Sequence, residues 1–120
     1  MKHSQRFVQI VDDGRSRVPE ITLEEALVEA AEEKAILIDV REKEEFDNGH
    51  IPDALHMSKG TIERDIEKTI PEMDRPLILY CGGGSRSILA SENLQRMGYT
   101  NVRSMSGGYR GYKKHNESEG

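Results

Sequence analysis

Leu77-Ile78-Leu79-Tyr80-Cys81-Gly82-Gly83-Gly84-Ser85-Arg86-Ser87 decides the fold. Its apolar run follows Arg75-Pro76 and suits a strand covered on both faces. From Ser87 to Met97, residues Ile88, Leu89, Leu94 and Met97 carry helical spacing, and Gly98 supplies the stop just past the helix end. Between strand and helix stand the chain's only cysteine, three glycines, a serine and an arginine. A strand, a tight loop and a helix start bring backbone N–H groups together, and the positive end of the helix dipole adds to them. Such a place favours an anion. A cysteine at the first loop position is expected to sit in that field as a thiolate, the nucleophilic form.

Working outward, Ala35-Ile36-Leu37-Ile38-Asp39-Val40 predicts a second strand buried on both faces, with Asp39 near its C-terminal end and Arg41 just past it. Glu20-Ile21 adds a short strand. Thr22-Leu23-Glu24-Glu25 reads as a capping box for a helix that presents Leu23, Ala26, Leu27, Ala30 and Ala31 on one face and ends near Lys34. Glu42 to Asp47 predicts a short acidic helix with Phe46 turned inward. Asn48 to Asp53 is a loop with Gly49 and Pro52 as turn residues, and Ala54 to Met57 is a short strand. Ile62, Ile66 and Ile70 form one stripe of a helix over 61–70, stopped by Pro71. Asn101 to Met105 is a fifth strand, and Ser106-Gly107-Gly108 turns into a last short helix, Tyr109 to Lys114.

Residues 1–19 form an N-terminal extension. Phe7, Ile10 and Val11 at i, i+3, i+4, behind Ser4 as a cap, favour a short helix there; Val8 with Ile10 suits a strand equally. Gly14 and Pro19 break the pattern. Residues 20–114 make the domain, and 115–120 a frayed polar tail. Strands alternating with helices, the best of them uniformly apolar, mean an α/β fold with a mostly parallel sheet and helices on both faces. Ligands of such sheets bind beyond the carboxyl ends of the strands. Cys81 and Asp39 both lie at such ends, so the fold brings them to one rim.

The 120 residues are enough for one domain with its own core. A net charge of −5 argues against nucleic acid or an anionic membrane as a partner. One cysteine makes no internal disulfide, and Met-Lys-His-Ser opens no apolar run, so the expected setting is reducing and cytoplasmic. No cluster has metal-ligand spacing, so neither metal nor cofactor is expected. The loop lacks the lysine and spacing of a nucleotide P-loop.

An isolated cysteine is usually a small buried hydrophobe. Three consecutive glycines change that balance, because they cost backbone entropy that a plain turn does not require. They let consecutive N–H groups curl around whatever the sulfur carries. Arg86 closes the loop, either as a ligand for the anion or as a clamp to a carboxylate. Asp39 and Arg41 are end-of-strand charges; in the alternative, Asp39 braces the loop by accepting from Arg86 or from loop N–H groups. His50, in a turn, suits a structural hydrogen bond better than a catalytic base.

Four ordered motifs resemble the rhodanese family of single-domain sulfurtransferases: Asp39-Val40-Arg41-Glu42, Gly49-His50-Ile51-Pro52-Asp53-Ala54, Cys81 to Ser87, and Gly107-Gly108-Tyr109. The resemblance covers about residues 20–114 and implies a five-stranded parallel sheet flanked by helices. It further implies that Cys81 takes a sulfane sulfur, holds it as a persulfide within Gly82, Gly83, Gly84, Ser85 and Arg86, and passes it to a thiophilic acceptor. The expected partners are a small sulfur donor with cyanide or a thiol as acceptor, or a protein acceptor. Asp53 stands where the family usually has glycine, and Tyr112 where the last motif usually ends in tryptophan. The loop interior is neutral, which weakens the expectation of doubly anionic thiosulfate and leaves polysulfide or a protein persulfide open. A sulfur-carrier module is the alternative. Phosphatase or arsenate-reductase chemistry is less favoured, because related phosphatases carry a loop one residue longer between cysteine and arginine.

Overall fold

The computed structural model describes residues 3–119. In chain order the elements are α1 (Gln5–Arg15), β1 (Glu20–Ile21), α2 (Leu23–Ala31), β2 (Ile36–Asp39), α3 (Lys43–Asp47), β3 (Leu55–His56), α4 (Ile62–Thr69), β4 (Leu77–Tyr80), α5 (Arg86–Met97), β5 (Val102–Met105) and α6 (Gly108–Glu119). The strands form one sheet in the order β1-β5-β4-β2-β3, and every pair is parallel.

The apolar runs explain the centre of the sheet. All four residues of β4 are buried, and successive side chains leave on opposite faces. Leu77, Leu79 and then Cys81 join one core with Ile38, Val40, Ile62, Ile66 and Leu94, beneath α4 and α5. Ile78 and Tyr80 join a second core with Leu23, Ala26, Leu37 and Met105, covered by α2 and α6. Asp39 pairs in register with Tyr80, so the ends of β2 and β4 are neighbours. Chain connections leave these two strands in opposite directions, toward β3 and toward β5. The crevice beyond them is where a doubly wound sheet binds its ligands.

Several local expectations change. Gly14 lies inside α1 instead of ending it. It is buried against α5, where a Cβ would come within 2.8 Å of Ile88 Cγ2, so the missing side chain permits close helix packing. The inward stripe is accordingly Phe7, Val11 and Gly14, with Ile88 and Val18 beside it, while Ile10 points outward at 54% exposure. Helix α2 stops at Ala31, short of Lys34, because Glu33 adopts a left-handed φ of 59°. Its cap is also half of a capping box: Thr22 Oγ1 accepts from Glu25 N, but the Glu25 carboxylate takes the Thr22 hydroxyl and not its N–H. Helix α6 continues past Lys114 to Glu119, since neither glycine nor proline interrupts residues 112–119. Residue 120 lies outside the described residues, as do Met1 and Lys2 of the N-terminal extension.

Asp53, the departure from glycine in the second motif, adopts a left-handed φ of 69°. Aspartate tolerates that region better than most side chains. Tyr80 anchors the same loop from below: its hydroxyl accepts the Ile51 N–H at 3.1 Å. Ile66 is fully buried between α4 and the sheet. Replacing Ile66 with alanine should cost about 2–5 kcal/mol of unfolding free energy in urea titrations.

Candidate active site

Cys81 is the first residue past β4, and its side chain is almost fully buried. Its sulfur does not rest in a purely apolar setting. The Gly84 N–H donates to Sγ at 3.1 Å, and the Ser87 N–H, in the first turn of α5, donates at 3.4 Å. Ser87 Oγ lies 3.5 Å from Sγ and 2.7 Å from the buried Ser104 hydroxyl. The sulfur thus has two main-chain donors and a hydroxyl relay behind it. Of the three glycine amides, only that of Gly84 reaches Sγ.

The first turn of α6 shapes the rest of the loop. Tyr109 N–H donates to the Cys81 carbonyl at 2.7 Å, and Arg110 N–H donates to the Gly82 carbonyl at 3.1 Å. No peptide bond among the described residues is cis. In a trans peptide the N–H points opposite to the C=O. Turning these two carbonyls toward α6 therefore aims the Gly82 and Gly83 N–H groups away from it. Gly108 allows the approach: its φ is 58°, and a Cβ there would fall 2.5 Å from the Cys81 carbonyl oxygen. Gly84 also needs its left-handed φ of 106° to close the loop.

A cavity of about 760 Å³ opens over the sulfur. Cys81, Gly82, Gly83, Ser85 and Arg86 line it together with Arg41, Glu45, Tyr109 and Arg110, and the N-terminal extension contributes Phe7 of α1 and His3 just before it. Asp39 is not in the lining. It is fully buried below and holds Arg41 by a two-pronged pair, at 3.1 Å to Nε and 2.8 Å to Nη2. Arg41 also donates to the Gly49 carbonyl at 2.7 Å and lies 4.2 Å from the Tyr109 ring centroid. Burial works against the Arg41 charge, yet the Asp39 hydrogen bonds together with the negative charge of Asp39 and its neighbours outweigh it and raise its pKa.

Asp39 therefore does not brace Arg86. The carboxylate on Arg86 is that of Glu45, whose two oxygens accept from Nη1 and Nη2 at 3.1 and 3.2 Å. Glu45 also accepts the Glu42 N–H, completing a capping box at the start of α3. One carboxylate thus ties α3 to the start of α5. The Arg86 hydrogen bonds hold the Glu45 carboxyl below its ordinary range. His50 Nδ1 lies 2.8 Å from the Phe46 carbonyl, a local turn bond outside the cavity. Phe46 is half-buried between the rings of His50 and His56.

The family model described as rhodanese-like domain matches residues 22–115. The chain belongs to the rhodanese-like domain family. It is 36% identical over 78 residues to the thiosulfate sulfurtransferase GlpE of Pseudomonas savastanoi, covering 65% of this chain and 72% of that one. It is equally identical over 89 residues to the uncharacterized protein YqhL of Bacillus subtilis, covering 74% and 69%. The human single-domain sulfurtransferase TSTD1 superposes with a TM-score of 0.73 at 28% identity, over 81% of this chain and 96% of that chain. A Rhodopseudomonas palustris protein titled as a possible tyrosine phosphatase shares the fold, with a TM-score of 0.85 at 23% identity, over 97% and 95% of the two chains. It extends over α1, which lies before the residues matched by the rhodanese-like model.

Five residues around the rhodanese-like loop escape a reading of the sequence as a string: Glu45, Ser87, Ser104, Tyr109 and Arg110. Ser87 sits in the loop stretch itself and Tyr109 in the Gly-Gly-Tyr motif, so both had a local signal. Glu45, Ser104 and Arg110 had none. Among the described residues no helix is long and apolar enough to cross a membrane, and no cluster of His, Cys, Asp and Glu could hold a metal ion.

Two tests follow from this geometry. Gly108→Ala should destabilise the protein by about 1–2 kcal/mol or more, since it adds left-handed strain to a main-chain overlap. Gly111→Ala, in open space within the same helix, should instead stabilise by about 0.5–1 kcal/mol; thermal unfolding of both variants checks the contrast. The Glu45 carboxyl is depressed in the fold, so its stabilisation is present above the unfolded pKa of about 4.3 and disappears as pH falls through the folded value. The stability gap between wild type and Glu45→Gln should be at most about 1 kcal/mol at pH 7, because the pair is partly exposed, and should close in acid.

Proposed function

We propose that this protein is a sulfurtransferase that carries a sulfane sulfur on Cys81. The observation that supports it most directly is the pair of main-chain N–H groups from Gly84 and Ser87 aimed at Sγ on the floor of an arginine-lined cavity. Family membership and the likeness to thiosulfate sulfurtransferases point the same way.

The Cys81 thiolate attacks the outer sulfur of a donor such as thiosulfate, a polysulfide or a persulfide. The donor's S–S bond breaks and its electron pair leaves with the remainder, sulfite in the case of thiosulfate. A new S–S bond now joins Sγ to the transferred sulfur. Amides already organised around the site stabilise the persulfide anion as an oxyanion hole stabilises an oxyanion. Gly82 and Gly83, whose N–H groups face away from α6, are the donors left for the outer sulfur. A thiophilic acceptor, cyanide or a thiol, then attacks that outer sulfur, and the pair returns to Cys81 as thiolate. Arg86, held by Glu45, closes the loop as a clamp. Asp39 and Arg41 support the rim through Gly49 and Tyr109.

The loop holds four residues between Cys81 and Arg86, Gly82 to Ser85. A small ring suits one sulfur atom better than a tetrahedral phosphoryl group. Exposure to thiosulfate should add the mass of one sulfur atom to the peptide containing Cys81, reversibly with cyanide. Initial rates with both substrates varied should give parallel lines, and Cys81→Ser should abolish turnover with the fold unchanged. Phosphate release from para-nitrophenyl phosphate without thiocyanate formation would reverse the assignment. Slow thiosulfate turnover beside fast transfer to a protein thiol would instead indicate a sulfur carrier.

A further inference from the structure

We propose that Arg110, on α6, is the donor-binding cation of this site and recognises the oxyanion end of a thiosulfate-type donor. The inference rests on the sulfurtransferase reading above and narrows its donor class. Three arginines line the cavity over Cys81. Arg41 is committed to Asp39 and to the Gly49 carbonyl, and Arg86 to both oxygens of Glu45. Arg110 has no carboxylate partner among the described residues, and its side chain is exposed to the opening.

Its backbone is fixed at the loop, and its side chain lies over it. The backbone is tied to the loop by the bond from Arg110 N–H to the Gly82 carbonyl. The guanidinium lies over Gly83, where a Cβ would fall 2.0 Å from its Nη2. The bare second glycine of the loop is thus the seat of a guanidinium. Gly83 leaves the guanidinium room there, and its own φ is outside the left-handed region.

The loop from Gly82 to Ser85 carries no charge of its own. An anionic donor that must bring its outer sulfur to Cys81 needs a counter-charge from elsewhere. Arg110 supplies it beside the loop, with a planar fork matched to two oxygens of one oxyanion. In the transfer from thiosulfate, the thiolate's pair forms the bond to the sulfane sulfur, and the S–S pair of the donor leaves on sulfite. The leaving group retains its negative charge throughout, so Arg110 binds the donor and the departing sulfite alike. Such uniform binding lowers KM more than it raises kcat.

Steady-state kinetics with thiosulfate and cyanide test this on the full chain. Arg110→Gln should raise KM for thiosulfate roughly tenfold to a hundredfold, the loss expected for a charge-assisted contact. Its kcat should change less than about threefold, and Arg110→Lys should recover part of the loss. Rising ionic strength should raise the wild-type KM more steeply than that of Arg110→Gln. Discharge of preformed persulfide by dithiothreitol should be equal in both. A wild type that turns over thiosulfate while Arg110→Gln keeps its KM would overturn this proposal alone. A fall in kcat at constant KM would also overturn it, by assigning Arg110 to loop structure. If the wild type neither forms thiocyanate nor gains sulfur from any donor, the sulfurtransferase reading fails and takes this proposal with it.

Discussion

The two hydrogen bonds from the first turn of α6 to the Cys81 and Gly82 carbonyls set the orientation of everything in the loop. Each peptide plane offers its carbonyl to one side and its N–H to the other. Once α6 has taken the carbonyls, the amides have only the opposite side to serve. Helix α5 contributes the remaining donor, through Ser87, because its first amides have no partner within the helix. The sulfur therefore sits where two helix starts meet the end of the central strand. Gly107 and Gly108, both at left-handed φ, are the turn that lets α6 begin so close.

The charges at the rim divide by burial. Asp39 and Arg41 are almost wholly withdrawn from water, and such a pair survives there only with nearly all its hydrogen bonds made. Arg41 meets that condition through Asp39, the Gly49 carbonyl and the face of Tyr109. That single side chain connects β2, the second motif and α6, the element that orients the loop. Arg86 and Glu45 are more open, so their pair contributes little to overall stability and more to where the loop closes. Arg110 is left as the cation with capacity for a further anion. In the proposed reaction, a neutral loop beside an arginine with no carboxylate partner among the described residues separates two tasks: the amides hold the sulfur, and the guanidinium holds what the sulfur arrives on.

Helix α1 adds a feature that the matched domain lacks. It packs on α5 through Val11 and Gly14, is followed by Arg17, which pairs with Glu92, and brings Phe7, with His3 just before it, to the cavity. Because α5 starts at the loop, anything that seats α5 also steadies the amide of Ser87. An apolar ring at one wall and a guanidinium at another make the opening asymmetric.

Strong local signals made much of this legible in the residue string. The runs at 36–39 and 77–80 have no polar side to present to water, which forces a central place in a covered sheet. The cysteine, the glycines and the helix that follows announced a tight loop with amides close to the sulfur, and Ser4, Thr22 and Gly98 marked helix ends by their own chemistry. Sequence could not choose between Asp39 and Glu45 as the partner of Arg86, because long side chains select partners in space and both carboxylates lie near strand or helix ends. Nor could it weigh Gly14 as a contact rather than a break, since that depends on Ile88 lying opposite. By itself the chain determined the parallel sheet, the position of Cys81 at its rim and the pliancy of the loop, all consequences of local periodicity and backbone freedom. Only the tertiary structure decided which way the amides point and which of the three cavity arginines lacks a carboxylate partner among the described residues, because both depend on how α6 returns across the end of β4.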